Sequence, residues 1–357
     1  MRKVHKKARI RRSDDSWCLY IGDLTSGVLE DYFVLTTKAA VLTFGQKFGP
    51  LLGAMHAFIG KNNEDILKVI DQILDDYSSP AKAWFGPVLA ILVDSPEDLK
   101  IILNSPNCLQ KAFPYDFLRV NCGLMSAPAE MWKTHRKYLN PCFNPKLLQS
   151  FLPIFNVKSK TMGNETSALS VSFCLLMLAM HQDIQERVVD ELRSVFDTKD
   201  QPVTPEAVSK LEYLSMVMNE TLRLFPITPL IGREALKDTK LDKFEIPAGA
   251  CIIMPIYKVH RNKKLWGENA HLFNPDNFLP ENVEKRHPYC FLPFSQGPRN
   301  CIGWRYSLLA MKTMLCHLLR NYKFTTHIKY HELKFKMCLD LKITNKHMVQ
   351  IERRDFK

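Results

Sequence analysis

The longest stretch without a charged residue or histidine, Thr166–Met180, holds 15 residues and includes four Ser or Thr. That is short of the ~20 apolar residues a helix needs to cross a bilayer, so the sequence encodes no transmembrane helix and its apolar residues must be buried within a fold. Apolar residues make up 46% of the 357 and charged residues 24%, the balance of a core-burying chain with the length for one large domain or two ordinary ones. The formal charge is +12, yet Met1–Arg12 alone carries seven Lys/Arg and no acid. Outside that arm the excess is mild. It favours acidic partners or anionic membrane surfaces and is too diffuse to establish a nucleic-acid binder.

Ten cysteines are scattered along the chain with no CxxC pair and no paired metal-ligand spacing, so most read as reduced packing residues. The N-terminus, MRKVHKKARIRR followed by SDDSWCLYIGD, never reaches an apolar run of signal-peptide length. Both features speak against a secreted disulfide framework.

Residues 1–48 show weak periodicity; from Gly49 the chain changes character. NEDILKVIDQILDDY has the spacing of an amphipathic helix. Val88–Val93 is a short apolar run suited to a buried strand, and Ser95-Pro96-Glu97-Asp98 then supplies an N-cap, a proline at the first helical position and acids in the first turn. Gln182–Phe196 and Lys210–Leu224 also have helical spacing, the second ending at Phe225-Pro226, and residues 227–257 read as extended with Pro and Gly punctuation. The expected fold class is mainly α with small β-sheets (α+β). No internal repeat or low-complexity tract is present.

The most informative segment is Phe291–Leu309, FLPFSQGPRNCIGWRYSLL. A Gly- and Pro-containing loop presents Cys301 just before an amphipathic helix whose expected buried stripe is Ile302, Tyr306, Leu309, Thr313 and Leu318. A thiol at a helix N-terminus faces unpaired N–H groups and the positive end of the helix dipole, which predicts a lowered pKa. Gly297 and Gly303 would let the backbone approach a flat ligand, and Arg299 could pair with an acidic group on it. Taken alone, Cys301 is better read as a buried structural thiol beside a turn; that reading does not explain the whole spacing.

The spacing Phe294-x-x-Gly297-x-Arg299-x-Cys301-x-Gly303 resembles the haem-binding signature of the cytochrome P-450 family, and that resemblance makes Cys301 the axial thiolate ligand of haem iron. Other segments resemble further motifs of the family in the family's order. Trp132 and Arg136 match WxxxR, which implies contact with a haem propionate; an amphipathic basic helix explains them about as well. Glu165 and Thr166, in Gly163-Asn164-Glu165-Thr166-Ser167, match the acid-Thr pair that delivers protons to iron-bound oxygen, although capping residues in a first helical turn look the same. Glu220 and Arg223 match ExxR, whose buried pair holds the haem-side core together; alone, such i,i+3 pairs are common on solvated helices. Pro275-Asp276-Asn277-Phe278 stands where the family often has an arginine, leaving Asn277 as a neutral third partner. Arg233 is a further candidate propionate partner, against a solvated arginine.

The resemblance covers roughly Gly49 to the C-terminus and is nearest the insect-type members related to family 4. It implies a cytochrome P-450 fold and a haem-thiolate monooxygenase. Haem b (iron protoporphyrin IX) would be the cofactor, O2 the oxidant, and a small apolar substrate would be met by Tyr115–Leu124 and Ile227–Leu230. Electrons would come from NADPH through NADPH cytochrome P-450 reductase, docking on basic residues such as Lys133, Lys137 and Arg305, for which plain solvation is the other explanation. Only 31 positions separate Trp132 from Gly163, where the family places several helices. At about 11 residues per helix plus connections, on the order of 100 residues are missing, so the fold is expected to be truncated between the C and I helices with the seam near Lys160–Gly163. The expected division is a basic segment 1–48 without family match, then 49–162 and 163–357 as two parts of one domain. Met162 replaces the Glu that some family 4 members use for covalent attachment, so haem is expected to be non-covalent. The family places such chains on the cytosolic face of the endoplasmic reticulum membrane through an N-terminal helix; here only peripheral contact through the basic arm and PLLGAMHAFIG is expected. The alternative function is a catalytically inactive haem-binding or interaction remnant. Nucleic-acid binding is not expected.

Overall fold

A computed structural model describes residues 10–13, 16–19, 43–44, 54–76, 79–85, 88–113, 115, 123–158, 165–337, 340–344 and 349–356. The chain divides into two units, Met1–Val41 and Leu42–Lys357. In the first, β1 (Ile10–Ser13) and β2 (Ser16–Leu19) form an antiparallel hairpin with Arg11 opposite Cys18.

The second unit mixes many helices with small sheets. Its largest sheet has the order β3-β4-β5-β9-β6, built from β3 (Thr43–Phe44), β4 (Ala81–Phe85), β5 (Val88–Leu92), β6 (Ile231–Glu234) and β9 (Cys251–Met254). The two-residue strands β7 (Thr239–Lys240) and β8 (Glu245–Ile246) pair between β6 and β9 in sequence. Strand β5 is the apolar run expected from sequence. It pairs antiparallel with β4 and parallel with β9, so Ala90 faces Cys251, and β6 closes the edge with Arg233 opposite Ile252. Residues 227–257 are less extended than their composition suggests: Pro255 ends β9, and Ile256–Val259 turn into a short helix because proline has no N–H to continue the ladder.

Helix α1 spans Asn63–Asp76. Helix α2 spans Pro96–Asn104 and starts as its sequence predicts, with the Ser95 hydroxyl accepting from the Asp98 N–H at 3.2 Å and Pro96 in the first turn. Helix α3 is Ala129–Leu139, α4 Glu165–Met180, α5 Gln182–Val195, α6 Glu212–Leu224 and α7 Trp304–Asn321. Past the start of its first turn α4 is apolar on most of its circumference, and such a helix must be enclosed. Val171, Phe173, Cys174, Leu176, Met177 and Leu178 are all buried, and Phe173 stacks on Phe225 with centroids 4.8 Å apart. Burial of each such aromatic contributes roughly 2–3 kcal/mol. Gln185 of α5, fully buried, ties the end of α4 to β10 (Tyr322–Thr325): its amide donates to the Leu178 and Phe324 carbonyls and accepts from the Phe324 N–H.

The buried stripe of α7 differs from the expected one. Thr313 is buried, but Ile302, Tyr306, Leu309 and Leu318 are only partly covered, and the enclosed positions are Ala310, Met311, Leu315, Cys316, Leu319 and Arg320. The helix is rotated toward the α4–α6 core because Arg320 can be buried there at little cost: its guanidinium donates to the Cys316, Thr198 and Gln201 carbonyls. Seven cysteines, Cys108, Cys142, Cys174, Cys251, Cys290, Cys301 and Cys316, are free, and five of these are buried. Among the described residues no single helix is long and apolar enough to cross a membrane.

Candidate functional site

The loop ahead of α7 folds by local constraint. The Ser295 N–H donates to the Leu292 carbonyl, Asn300 to Gly297, and Cys301 to Phe294 at 2.9 Å, so the chain doubles back and presents the thiol one turn before the helix. Gly297 has φ +73°, a left-handed conformation that glycine adopts without strain. A Cβ there would lie 2.0 Å from the Leu103 carbonyl oxygen. A close approach at Gly297 is therefore made to the chain's own α2. At Gly303, the N-cap of α7, a Cβ would meet only Phe143 at an ordinary 3.7 Å. Asn104, the last residue of α2, also donates to the Tyr289 hydroxyl at 2.5 Å.

Cys301 is exposed, with its thiol against the loop. Desolvation pushes the thiol above its ordinary pKa, and the Gly303 N–H and the Arg136 guanidinium only partly offset this. The lowered pKa expected from the helix dipole is thus corrected: packing against the loop outweighs the partial charge at the helix start. Arg136 binds the loop directly, donating to the Asn300 carbonyl at 2.7 Å, to its side-chain oxygen at 2.8 Å and to Asn140 at 2.7 Å. Here Arg136 fastens α3 to the Cys loop. Trp132, buried on the same helix, lies under Arg299 with the guanidinium 4.8 Å from the ring centroid.

Arg299 is 6% exposed and Arg233 1%. Arg299 donates to the Ala127 carbonyl at 2.5 Å and Arg233 to the Gly232 carbonyl at 3.0 Å. Three of their nitrogens, Nη2 of Arg233 and both Nε and Nη1 of Arg299, are buried without a hydrogen-bond partner. Burial and the neighbouring Arg233 together push Arg299 down to about 10. Lys111, which sequence reading missed, joins them: it is half-buried, its ammonium sits 4.4 Å over the Tyr115 ring, and burial plus the two arginines hold it well below the usual lysine range. Among the described residues no carboxylate bonds to any of the three. Enclosed donors left unbonded are costly, and a dianionic ligand would satisfy them. A planar group with two carboxylates and a thiolate-binding iron fits this set of residues, and haem is such a group.

The second charged cluster is complete in itself. Glu220 and Arg223 of α6 are 0% exposed and joined bidentately at 2.6 and 2.7 Å. Arg223 also donates to the His260, Ala270 and Leu272 carbonyls, and Glu220 accepts from the Asn274 N–H and, at 3.1 Å, from the Asn277 amide. Burial pushes the Glu220 carboxyl up while these donors pull it back. Asn277 therefore reaches the pair as a neutral donor. Nearby, Arg286 donates to the Asn277 carbonyl at 3.0 Å and stacks 3.9 Å over Trp266. His260, also missed, connects this cluster to the Cys loop. Burial lowers its pKa to about 3, so the ring is neutral: Nδ1 donates to the Arg223 carbonyl at 3.1 Å and Nε2 accepts from the Leu292 N–H at 2.8 Å. A lone histidine in KVHRN gives no sequence signal of this role.

Thr166 lies exposed in the first turn of α4, its carbonyl accepting from Ser170 at 3.1 Å, and the next residue, Ser167, meets Ser307 of α7 at 3.2 Å. Glu165 begins the helix. Gly163, Asn164, Met162 and the expected seam near Lys160–Gly163 lie outside the described residues, as does most of Tyr115–Leu124. Phe294 packs against the α4–α6 core. Beneath the Cys loop, Trp132, Lys133, Arg136, Lys137, Gly297 and Asn300 line a shallow cleft of about 450 Å³.

The sequence model of the cytochrome P450 family matches residues 161–348. Probable cytochrome P450 313a4 of Drosophila melanogaster is 26% identical over 495 aligned positions that take in 95% of this chain and 99% of that protein. Probable cytochrome P450 313a2 of the same fly is 44% identical over 192 residues, 53% of this chain and 39% of the relative. Cytochrome P450 4c21 of Blattella germanica is 41% identical over 175 residues, 49% of this chain and 35% of the relative. In these last two matches the chain spans little more than a third of the relatives' length.

Proposed function

The chain belongs to the cytochrome P450 family, and from that premise we propose that it is a haem-thiolate monooxygenase that places one atom of O2 in a small apolar substrate and reduces the other to water with two electrons from NADPH. The observation that carries this reading is the pair of buried, unsatisfied arginines, Arg233 and Arg299, beside the loop that presents Cys301. Haem, when bound, supplies the activation of dioxygen. The protein's own residues do the rest. Cys301 would hold the haem iron through its sulfur, as a thiolate, since coordinating thiols are deprotonated. Arg233 and Arg299 neutralise the propionates, Trp132 packs against Arg299, and Arg136 fixes the loop through Asn300. Glu165 and Thr166, at the start of α4, hold and pass protons at the carboxylate and hydroxyl. Glu220, Arg223 and Asn277 are structural, and through His260 they set the start of the Cys loop.

NADPH cytochrome P-450 reductase docks, in this proposal, on the basic face around Lys133, Arg136 and Lys137, whose charge suits an acidic partner. Work on the cytosolic face of the endoplasmic reticulum membrane follows from the family. Haem is held non-covalently, since Met162 offers no carboxylate; haem that stays with a peptide after acid extraction would overturn this.

A second reading, an inactive haem-binding or interaction remnant, is favoured by one specific observation. The short helix Leu152–Lys158 is followed at once by α4, which begins at Glu165, whereas the alignment with the 313a4 protein runs over 495 positions for a chain of 357 residues. Part of the relative thus faces gaps in this chain, which a remnant would account for. The carbon monoxide difference spectrum of the reduced chain tests the haem-thiolate site, with a strongly red-shifted Soret band expected. Such a band without NADPH-dependent substrate turnover supports the haem-binding remnant; no haem signal at all overturns the monooxygenase reading and leaves the interaction remnant.

A further inference from the structure

Lys111, Arg233 and Arg299 converge from three parts of the chain: the segment after the 106–108 turn, strand β6 and the Cys loop. Among the described residues, the other groups facing them are the Tyr115 ring under the ammonium, the Cys108 thiol toward Arg233, and the Trp132 ring of α3 under Arg299. None of these is a carboxylate. Arginine keeps its charge at neutral pH even when buried, so of the three cations only Lys111 can shed charge to relieve their mutual repulsion.

We propose that Lys111 is the proton-accepting member of this cluster, taking one proton from solvent onto Nζ when the two carboxylates of haem bind beside Arg233 and Arg299. The inference rests on the haem reading above and deepens it. In the free chain, burial and two like charges hold the amine well below its ordinary pKa. Two carboxylates reverse the sign of that field, and the amine regains its proton. No bond to another protein group breaks, and the proton comes from water or buffer. Haem loading is then linked to pH: between the Lys111 pKa of the free chain and that of the loaded one, affinity falls by up to about tenfold per pH unit as pH rises.

The experiment is a calorimetric titration of iron protoporphyrin IX into the full chain, in two buffers of different ionisation heat, which counts the protons exchanged. Any proton lost by Cys301 on binding iron is common to all variants and cancels in comparisons between them. Lys111→Arg keeps the charge and cannot exchange a proton; it is expected to retain affinity within a few-fold and to take up fewer protons than wild type, by up to one. Lys111→Met is expected to lose both the uptake and about tenfold or more in affinity. The dimethyl ester of haem, which lacks the carboxylates, should abolish the difference between wild type and Lys111→Arg. Equal proton uptake by wild type and Lys111→Arg while both bind haem overturns this inference and leaves the haem reading standing. Failure of the wild-type chain to bind haem overturns both.

Discussion

Two buried charged clusters adjoin the Cys loop, and they are built on opposite terms. Around Glu220 and Arg223 both oxygens of the carboxylate and all three guanidinium nitrogens are bonded. Around Arg233 and Arg299 three guanidinium nitrogens are enclosed and unbonded, and Arg233 acts on Arg299 as a like charge. A complete cluster stabilises the fold that contains it. An incomplete one costs stability until something from outside completes it. The first is therefore a structural element of the protein, and the second a binding site.

The sharpest way to break this contrast is to remove one member of the complete cluster. Glu220→Ala leaves a buried guanidinium without its anion, and a loss on the order of 3–5 kcal/mol is expected in denaturant unfolding of the haem-free chain. Arg233→Met should act with the opposite sign, raising the stability of the same chain by about 2–3 kcal/mol because an unsatisfied cation is removed, while weakening haem binding. If both variants destabilise the haem-free chain, the distinction between the clusters fails.

His260 links the complete cluster to the loop, and its pH dependence sharpens the comparison. Its folded pKa of about 3 lies below the ordinary 6.5. The unfolded chain thus binds more protons between these values, so stability is full above pH 6.5 and falls as the solution becomes more acid. About 2 kcal/mol should be lost between pH 6.5 and 5. His260→Gln should flatten this slope in urea titrations at several pH values. The smallest effect is expected from Asn277→Ala, which removes one neutral donor to Glu220 and should cost about 1 kcal/mol in the same assay.

Much of this was legible in the sequence where local rules decide. The Ser95 cap, strand β5 and the turn of the Cys loop follow from residue types within a few positions of each other. The ExxR pair is visible as a spacing, but its burial is implied only by the family resemblance, because it depends on carbonyls at 260, 270 and 272 that fold back over α6. Lys111 and His260 carried no signal, since each acts through partners more than thirty residues away in sequence. The Cys301 thiol was read in the wrong direction, because a dipole argument counts the helix ahead of the sulfur and omits the loop against it. The stripe of α7 was misplaced for a related reason: an arginine counts as polar in any periodicity, yet Arg320 is buried once three carbonyls receive it.

The contact between Gly297 and the Leu103 carbonyl bears on what part of the chain can exist alone. The stretch matched by the family, 161–348, contains the Cys loop but neither Leu103 nor strand β5, which pairs with β9, nor β4, which pairs with β5. The Cys loop at Gly297 and strand β9 thus both lean on residues that precede the matched stretch. A fragment starting at residue 161 would lack the wall against which its own loop is cast.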